Sequence, residues 1–280
     1  AIPRDGKTYV GTTDTDYRGD PARPVMEEAD LAYLLDAANF MFPSLNLTPR
    51  DVESSWAGLR PLIRQEGKSP SEVSRRDEIF VSPSGLISIA GGKLTGYRKM
   101  AEKVVNLVAA KRREDGLPAL PPCRTRTMPI SGGDVGGGAG FEAFVQRQIP
   151  DGVAAGFSEE EAARIVKRYG SNARRLFRLA AESRGLADRH GLPPGLAAEL
   201  LYAMEAEMAV KPEDFWIRRT GMLYFDRAGV VKWKDAVAAA MAERLGWDET
   251  RRGEYDRELE RLLEEAVRPV SPEPGVPVHS

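Results

Sequence analysis

Between residues 115 and 140 the chain runs through Asp-Gly-Leu-Pro, Pro-Pro-Cys and Ser-Gly-Gly-Asp-Val-Gly-Gly-Gly-Ala-Gly. So dense a run of Gly and Pro supports neither a helix nor a strand, and it reads as a linker and loop. A single continuous layer of regular structure cannot cross it. The chain is therefore read as residues 1–114, a linker over 115–140, a helical region over 141–267 and a disordered tail over 268–280, which carries four prolines and no periodicity. At 280 residues, two domains are the natural count, since a domain takes roughly 100–200 residues.

Composition narrows the function classes. The 40 Lys+Arg nearly cancel the 42 Asp+Glu, so nothing drives the chain toward a polyanion such as nucleic acid. The single cysteine, Cys123, excludes an internal disulfide, and with only His190 and His279 beside it a structural zinc site is excluded too. No apolar run approaches the ~18–20 residues of a spanning helix, and Ala1–Gly6 lacks a leader's charged and apolar regions. The expected location is cytoplasmic, with peripheral contact on the inner face of a membrane as the one way of meeting lipid.

In the first half, Lys7–Val10 reads as a short strand ending in the turn Gly11-Thr12-Thr13-Asp14. A helix is expected from about Met26, because Leu31, Leu34, Leu35, Ala38, Met41 and Phe42 recur at helical spacing and Glu27, Glu28 and Asp30 suit its N-terminal dipole. Pro43 stops it. Thr48-Pro49 reads as an N-cap and first helical residue, leading into a strand over Val52–Arg60. Glu78–Ser82 and Leu86–Ala90 form a hairpin across Pro83-Ser84-Gly85, and a helix runs from Thr95 to about Arg113. In the second half, Ser158 with Glu161 is a capping box and Gly170 a helix stop. Further helices are expected at 172–184, 195–209, 213–219, 233–245 and 248–267. The fold class is α+β: a mixed sheet with helices, followed by an all-α domain.

Three segments could carry chemistry. Leu86–Arg98 runs from a strand through Gly91-Gly92 into a helix start, placing unpaired N–H groups and a positive dipole end where no side chain blocks approach. An electron-rich group fits there, and Lys93 favours one; the plain alternative is a tight turn. Arg60, held extended by Pro61, has the planar fork that suits a phosphate or carboxylate; the plain alternative is a surface ion pair. Gly11–Asp14 offers hydroxyls and backbone, or is simply a good turn. The glycines at 132–140 do not follow a strand, so no phosphate loop is read there, and the paired bases Arg75-Arg76 and Arg218-Arg219 are read as structural.

As an ordered set these segments resemble the FAD-dependent glycerol-3-phosphate dehydrogenase family. The residues that carry the resemblance are Tyr9-Val-Gly-Thr-Thr-Asp-Thr-Asp-Tyr17 with Gly19-Asp20-Pro21, Trp56-Ala-Gly-Leu-Arg-Pro-Leu62, Ser74-Arg-Arg-Asp77, Ile89–Ala101, Tyr169-Gly-Ser-Asn172 and Arg218-Arg-Thr-Gly-Met222. The resemblance spans nearly all of residues 1–245.

The resemblance implies a flavin- and substrate-binding α/β part followed by a helical carboxy-terminal domain. It implies oxidation of sn-glycerol 3-phosphate to dihydroxyacetone phosphate by hydride transfer to FAD, with a quinone as electron acceptor; a related oxidase would use O₂, and a non-catalytic docking module is the reading from another class. It places Gly91, Gly92, Lys93, Leu94 and Thr95 at the flavin ring, with Lys93 stabilising the negative charge that develops over the N1 and C2-carbonyl edge. It makes Arg60 the phosphate clamp and puts Thr12 or Thr13 on the substrate side of the pocket. The family's glycine-rich FAD-binding turn and its candidate histidine base match nothing in these residues, so the expectation is a carboxy-terminal piece that alone neither binds FAD tightly nor turns over substrate.

Overall fold

A computed structural model describes residues 1–4, 6–15, 17, 19–60, 77–91 and 93–269. Gly92, the Pro61-Leu62 end of the Trp56 motif, Ser74-Arg75-Arg76, and the tail 270–280 with His279 lie outside the described residues.

The order is strands β1 (Ile2–Arg4) and β2 (Lys7–Tyr9), helix α1 (Glu28–Met41), strands β3 (Glu78–Val81) and β4 (Ile87–Ala90), and helix α2 (Tyr97–Glu114). Then come α3 (Gly137–Ala154), α4 (Glu159–Tyr169), α5 (Ala173–Arg178), α6 (Ala180–His190), α7 (Pro194–Ala206), a π-helical turn over Asp214–Arg219, α8 (Met222–Phe225), α9 (Arg227–Leu245) and α10 (Glu249–Glu265). This is an α+β chain with a helical second half. Among the described residues its strands make two separate antiparallel hairpins, β1-β2 and β3-β4, rather than a mixed sheet.

Local chemistry explains the elements that formed where expected. Asp30 accepts the Glu27 N–H at 3.3 Å to close the start of α1, and Thr48 donates its N–H to Asp51 at 2.7 Å around the single turn Pro49–Asp51. The β3-β4 hairpin closes on Gly85 N–H to Ser82 O at 2.9 Å. Ser158 Oγ accepts the Glu161 N–H while the Glu161 carboxylate accepts the Ser158 N–H, a reciprocal cap worth about 1 kcal/mol. At the other end of α4, Gly170 has φ +54 and any Cβ there would strike the Gly132 carbonyl. The same carbonyl accepts the Ser171 N–H at 3.0 Å, and Asn172 Nδ2 donates to Ser131 Oγ at 2.8 Å.

Several expectations are corrected. Residues 52–60 are in no strand; a strand exists only where a neighbour accepts its ladder, and here Trp56 is held by its ring instead. The linker reading of 115–140 ends early, because α3 starts at Gly137 after the left-handed Gly136; burial of Phe144 and Val145 outweighs the poor helix propensity of its glycines. The helix read over 172–184 is two, meeting at Leu179. The segment 213–219 is π-helical, with Thr220 N–H donating to Phe215 O, five residues back, at 3.0 Å. Helix α9 begins six residues before the expected start, capped by Asp226 accepting the Gly229 N–H.

Contacts divide the chain into two compact units, and the division is not the sequence boundary at 115–140. The first comprises Ala1–Thr13, Val25–Ala57 and Ile130–Ser280; the second comprises Asp14–Pro24 and Gly58–Pro129. In the first unit, one core gathers Val145, Ile165, Val166 and Leu176, the other Leu200, Phe215, Trp216, Leu223 and Met241. Helix α7 serves both, with Ala198 and Tyr202 in one and Leu196, Leu200 and Leu201 in the other. It is apolar nearly all round, as a helix enclosed by others must be. Among the described residues no helix is long and apolar enough to cross a membrane.

Candidate active site

The strand-to-helix segment has the local geometry that its sequence implies. Strand β4 ends at Ala90, Lys93 caps a 3₁₀ turn over Leu94–Gly96, and α2 continues from Tyr97. Gly96 N–H donates to Lys93 O at 2.8 Å and Tyr97 N–H to Leu94 O. The turn therefore leaves the N–H groups of Leu94 and Thr95 as donors that it does not use itself. Lys93, Leu94 and Thr95 are all exposed. At Gly91 the reason for glycine is packing: a Cβ there would meet Met100 Cε at 2.8 Å and Asp77 Cβ at 3.1 Å. Asp77 in turn accepts from Lys103 Nζ at 2.5 Å, and that bond holds its carboxyl below the usual carboxylate range.

Arg60 Nη1 donates to Asp14 Oδ2 at 3.0 Å, and the Arg60 side chain remains 37% exposed. The bond joins Arg60 to the aspartate that ends the Gly-Thr-Thr-Asp sequence. Exposed ion pairs contribute about 0–1 kcal/mol, which leaves the arginine ready to accept a stronger anion. Of the two threonines, Thr12 is exposed and Thr13 half-buried.

The Arg218-Arg219-Thr220 motif is structural. Arg218 donates to Glu213 at 2.7 Å and to Asp214 at 2.5 Å, Arg219 clamps Glu207 O at 2.6 and 2.8 Å, and Thr220 Oγ1 donates to Phe215 O at 2.7 Å. Together they fix the π turn. Burial raises the Glu213 carboxyl, but Lys211 and Arg218 outweigh it and the group lies below its ordinary range. His190 Nε2 lies 2.6 Å from Glu243 in the helical region. No group of three or more potential metal ligands occurs among the described residues.

Sequence reading missed one feature. Tyr9 and Trp56 stack with Tyr224 and Phe225 of α8. No local pattern signals a contact between residues more than 160 positions apart. The only hint is that each aromatic lies within, or just beyond, a segment singled out for other reasons.

Comparison with known proteins gives the family. Residues 1–98 match the family described as FAD dependent oxidoreductase, and residues 123–252 match the one described as C-terminal domain of alpha-glycerophosphate oxidase. The two matches together define the class: relatives of FAD dependent oxidoreductases that carry this carboxy-terminal domain. The aerobic glycerol-3-phosphate dehydrogenase of Bacillus subtilis (strain 168) is 50% identical over 270 residues, 96% of this chain and 49% of that protein. The enzyme of the same name from Staphylococcus haemolyticus is 47% identical, over 96% of this chain and 48% of its own. The crystal structure of the glycerol-3-phosphate dehydrogenase from Bacillus halodurans complexed with FAD superimposes with a TM-score of 0.87 at 47% identity, covering 98% of this chain and 52% of that one. The chain belongs to the FAD-dependent glycerol-3-phosphate dehydrogenase family. It spans about half the length of the curated relatives it matches.

Proposed function

We propose that this chain carries the substrate clamp and part of the flavin contact of an enzyme that oxidises sn-glycerol 3-phosphate to dihydroxyacetone phosphate, with electrons passed on to a quinone. The observation that carries the reading is the Arg60–Asp14 bond, which holds a part-exposed guanidinium in a weak pair that a stronger anion can replace. In this reading Arg60 takes the phosphate through its planar fork. Thr12 and Thr13 line the substrate side, residues 1–114 hold the reacting groups, and the helices from Gly137 onward form the helical region.

The segment 91–95 fits FAD by its donor chemistry: two unused N–H groups and a lysine, with no carboxylate among Gly91–Thr95. FAD, when bound, accepts the hydride from C2 of the substrate. Leu94 and Thr95 N–H with Lys93 would hold the electron-rich edge and stabilise negative charge gained there; Gly91 and Gly92 are assigned to the flavin contact by the family resemblance. The base for the hydroxyl proton is assigned to none of these residues. Contact with the membrane surface is the proposed route to the quinone.

The test is reduction of an artificial dye, and loss of flavin absorbance, on adding glycerol 3-phosphate to the FAD-loaded enzyme. Lys93→Met is expected to slow flavin reduction about a hundredfold with little change in KM, the size of losing one preorganised donor. An unchanged rate removes Lys93 from the charge-stabilising role. Oxygen uptake without dye or quinone, at the rate of dye reduction, would make O₂ the acceptor instead.

A further inference from the structure

The helical region has no role in the chemistry so far, yet it meets the two segments that carry the proposed substrate groups. Trp56 lies 4.9 Å from the Tyr224 ring and 5.8 Å from that of Phe225, centroid to centroid. Tyr9 meets Phe225 edge-on at 5.9 Å and Trp56 at 5.8 Å, and the Arg4 guanidinium sits 4.2 Å over the Phe225 ring. Tilted and edge-to-face pairs at these distances are favourable and directional, and a guanidinium over the ring adds a cation–π contact.

The clamp has a fixed side and a guided side. Met222 and Leu223 are buried with Trp216 in the larger core, so α8 is anchored and turns Tyr224 and Phe225 toward the other segments. On the guided side, Val10–Asp14 and Val52–Arg60 belong to no helix or strand. Tyr9 lies three residues before Thr12, and Trp56 four before Arg60. Lys7 Nζ donates to Glu53 at 2.5 and 2.7 Å, binding the same two segments together. A short stretch without a hydrogen-bonded ladder takes its position from the side chains at its ends, and an error of about 1 Å at a binding group can cost on the order of a hundredfold.

We propose that Phe225, with Tyr224, is a positioning residue for the glycerol 3-phosphate site: α8 grips Tyr9 and Trp56 and thereby sets how the Thr12-Thr13 turn presents itself to the substrate. The inference rests on the function proposed above. It gives the helical region a specific task, the setting of substrate affinity.

Steady-state kinetics of the FAD-loaded enzyme with glycerol 3-phosphate and a dye acceptor test it. Phe225→Ala is expected to raise KM about tenfold, ~1.4 kcal/mol, with kcat within about twofold and flavin content unchanged. Phe225→Tyr, which keeps the ring, restores the wild-type KM. Trp56→Leu, at a residue 47% exposed and outside the helical core, should raise KM similarly without lowering the melting temperature. The double variant should be no worse than the single ones. Wild-type KM in both Phe225→Ala and Trp56→Leu overturns the clamp while leaving the proposed function standing. So does a fall in kcat that tracks lost folded protein at constant KM. Absence of glycerol 3-phosphate turnover by the wild-type enzyme overturns the proposed function and the clamp with it.

Discussion

Arg60→Met is expected to raise the KM for glycerol 3-phosphate about a hundredfold, with a much smaller effect on kcat. Methionine keeps the length of the apolar stem and removes the fork. A charge-assisted bidentate contact to a phosphate contributes roughly 2–3 kcal/mol, which is about 30–150-fold in affinity. The bond that the arginine makes in this structure, to Asp14 at 3.0 Å with both side chains more than a third exposed, is worth at most about 1 kcal/mol. Its loss therefore leaves the fold intact, and the kinetic effect can be read as substrate binding. Arg60→Lys should recover part of the affinity, since an ammonium keeps the charge without the planar pair of donors. Asp14→Asn, which frees the arginine, should lower KM or leave it unchanged. Unaltered KM in Arg60→Met, in an enzyme that turns over glycerol 3-phosphate, would reduce Arg60 to a partner for Asp14.

That alternative was visible in the sequence, and the two readings are compatible for a physical reason. An arginine waiting for a dianion is better held by one exposed carboxylate than left unpaired, because a weak pair fixes direction and yields to a stronger ligand. What the sequence could not supply was which carboxylate. Asp14 and Arg60 lie 46 positions apart, and neither stands in a pattern that points to the other. Tyr9, Trp56 and Phe225 met across still longer separations. The elements read correctly were those decided within a few residues: the Ser158–Glu161 cap, the β3-β4 hairpin with its Pro-Ser-Gly turn, and the passage from β4 through Gly91 to α2. The errors have the same origin. Val52–Arg60 has β-type residues but, among the described residues, pairs with no strand. Gly137–Gly140 has loop composition, yet it is drawn into α3 by the burial that follows it. The π turn at Asp214–Arg219 depends on Arg219 reaching Glu207 O, twelve residues back, which no helical periodicity encodes.

Among stability effects the largest should come from Glu199→Ala. Helix α7 is apolar along nearly its whole surface, and Glu199 is its one charge facing inward, 0% exposed. Its carboxylate accepts from Arg164 at 2.5 Å and from Arg168 at 2.8 Å, both on α4, so it fastens α4 to the helix shared by the two cores. Burial alone would lower the Arg164 guanidinium, but Glu199 outweighs it and the group is raised. Burial also pushes the neighbouring Tyr169 phenol up. Removing one member of a buried pair leaves the other charge without compensation, a loss of about 3–5 kcal/mol. Arg164 and Arg168 retain side-chain exposures of 40% and 26% and can turn partly to water, so the lower end of that range applies. The expected loss is about 3 kcal/mol, a fall of roughly 10 °C in melting temperature for a unit of this size. Urea unfolding followed by the emission of the buried Trp216 measures it. A second variant separates the pair's geometry from its net worth: replacing Glu199, Arg164 and Arg168 together by methionine should return stability to within about 1 kcal/mol of the wild type, because apolar packing often matches a buried ionic cluster. If Glu199→Ala alone unfolds with the wild-type midpoint, the carboxylate does not hold α4 to α7, and the joint between the two cores rests on their apolar contacts.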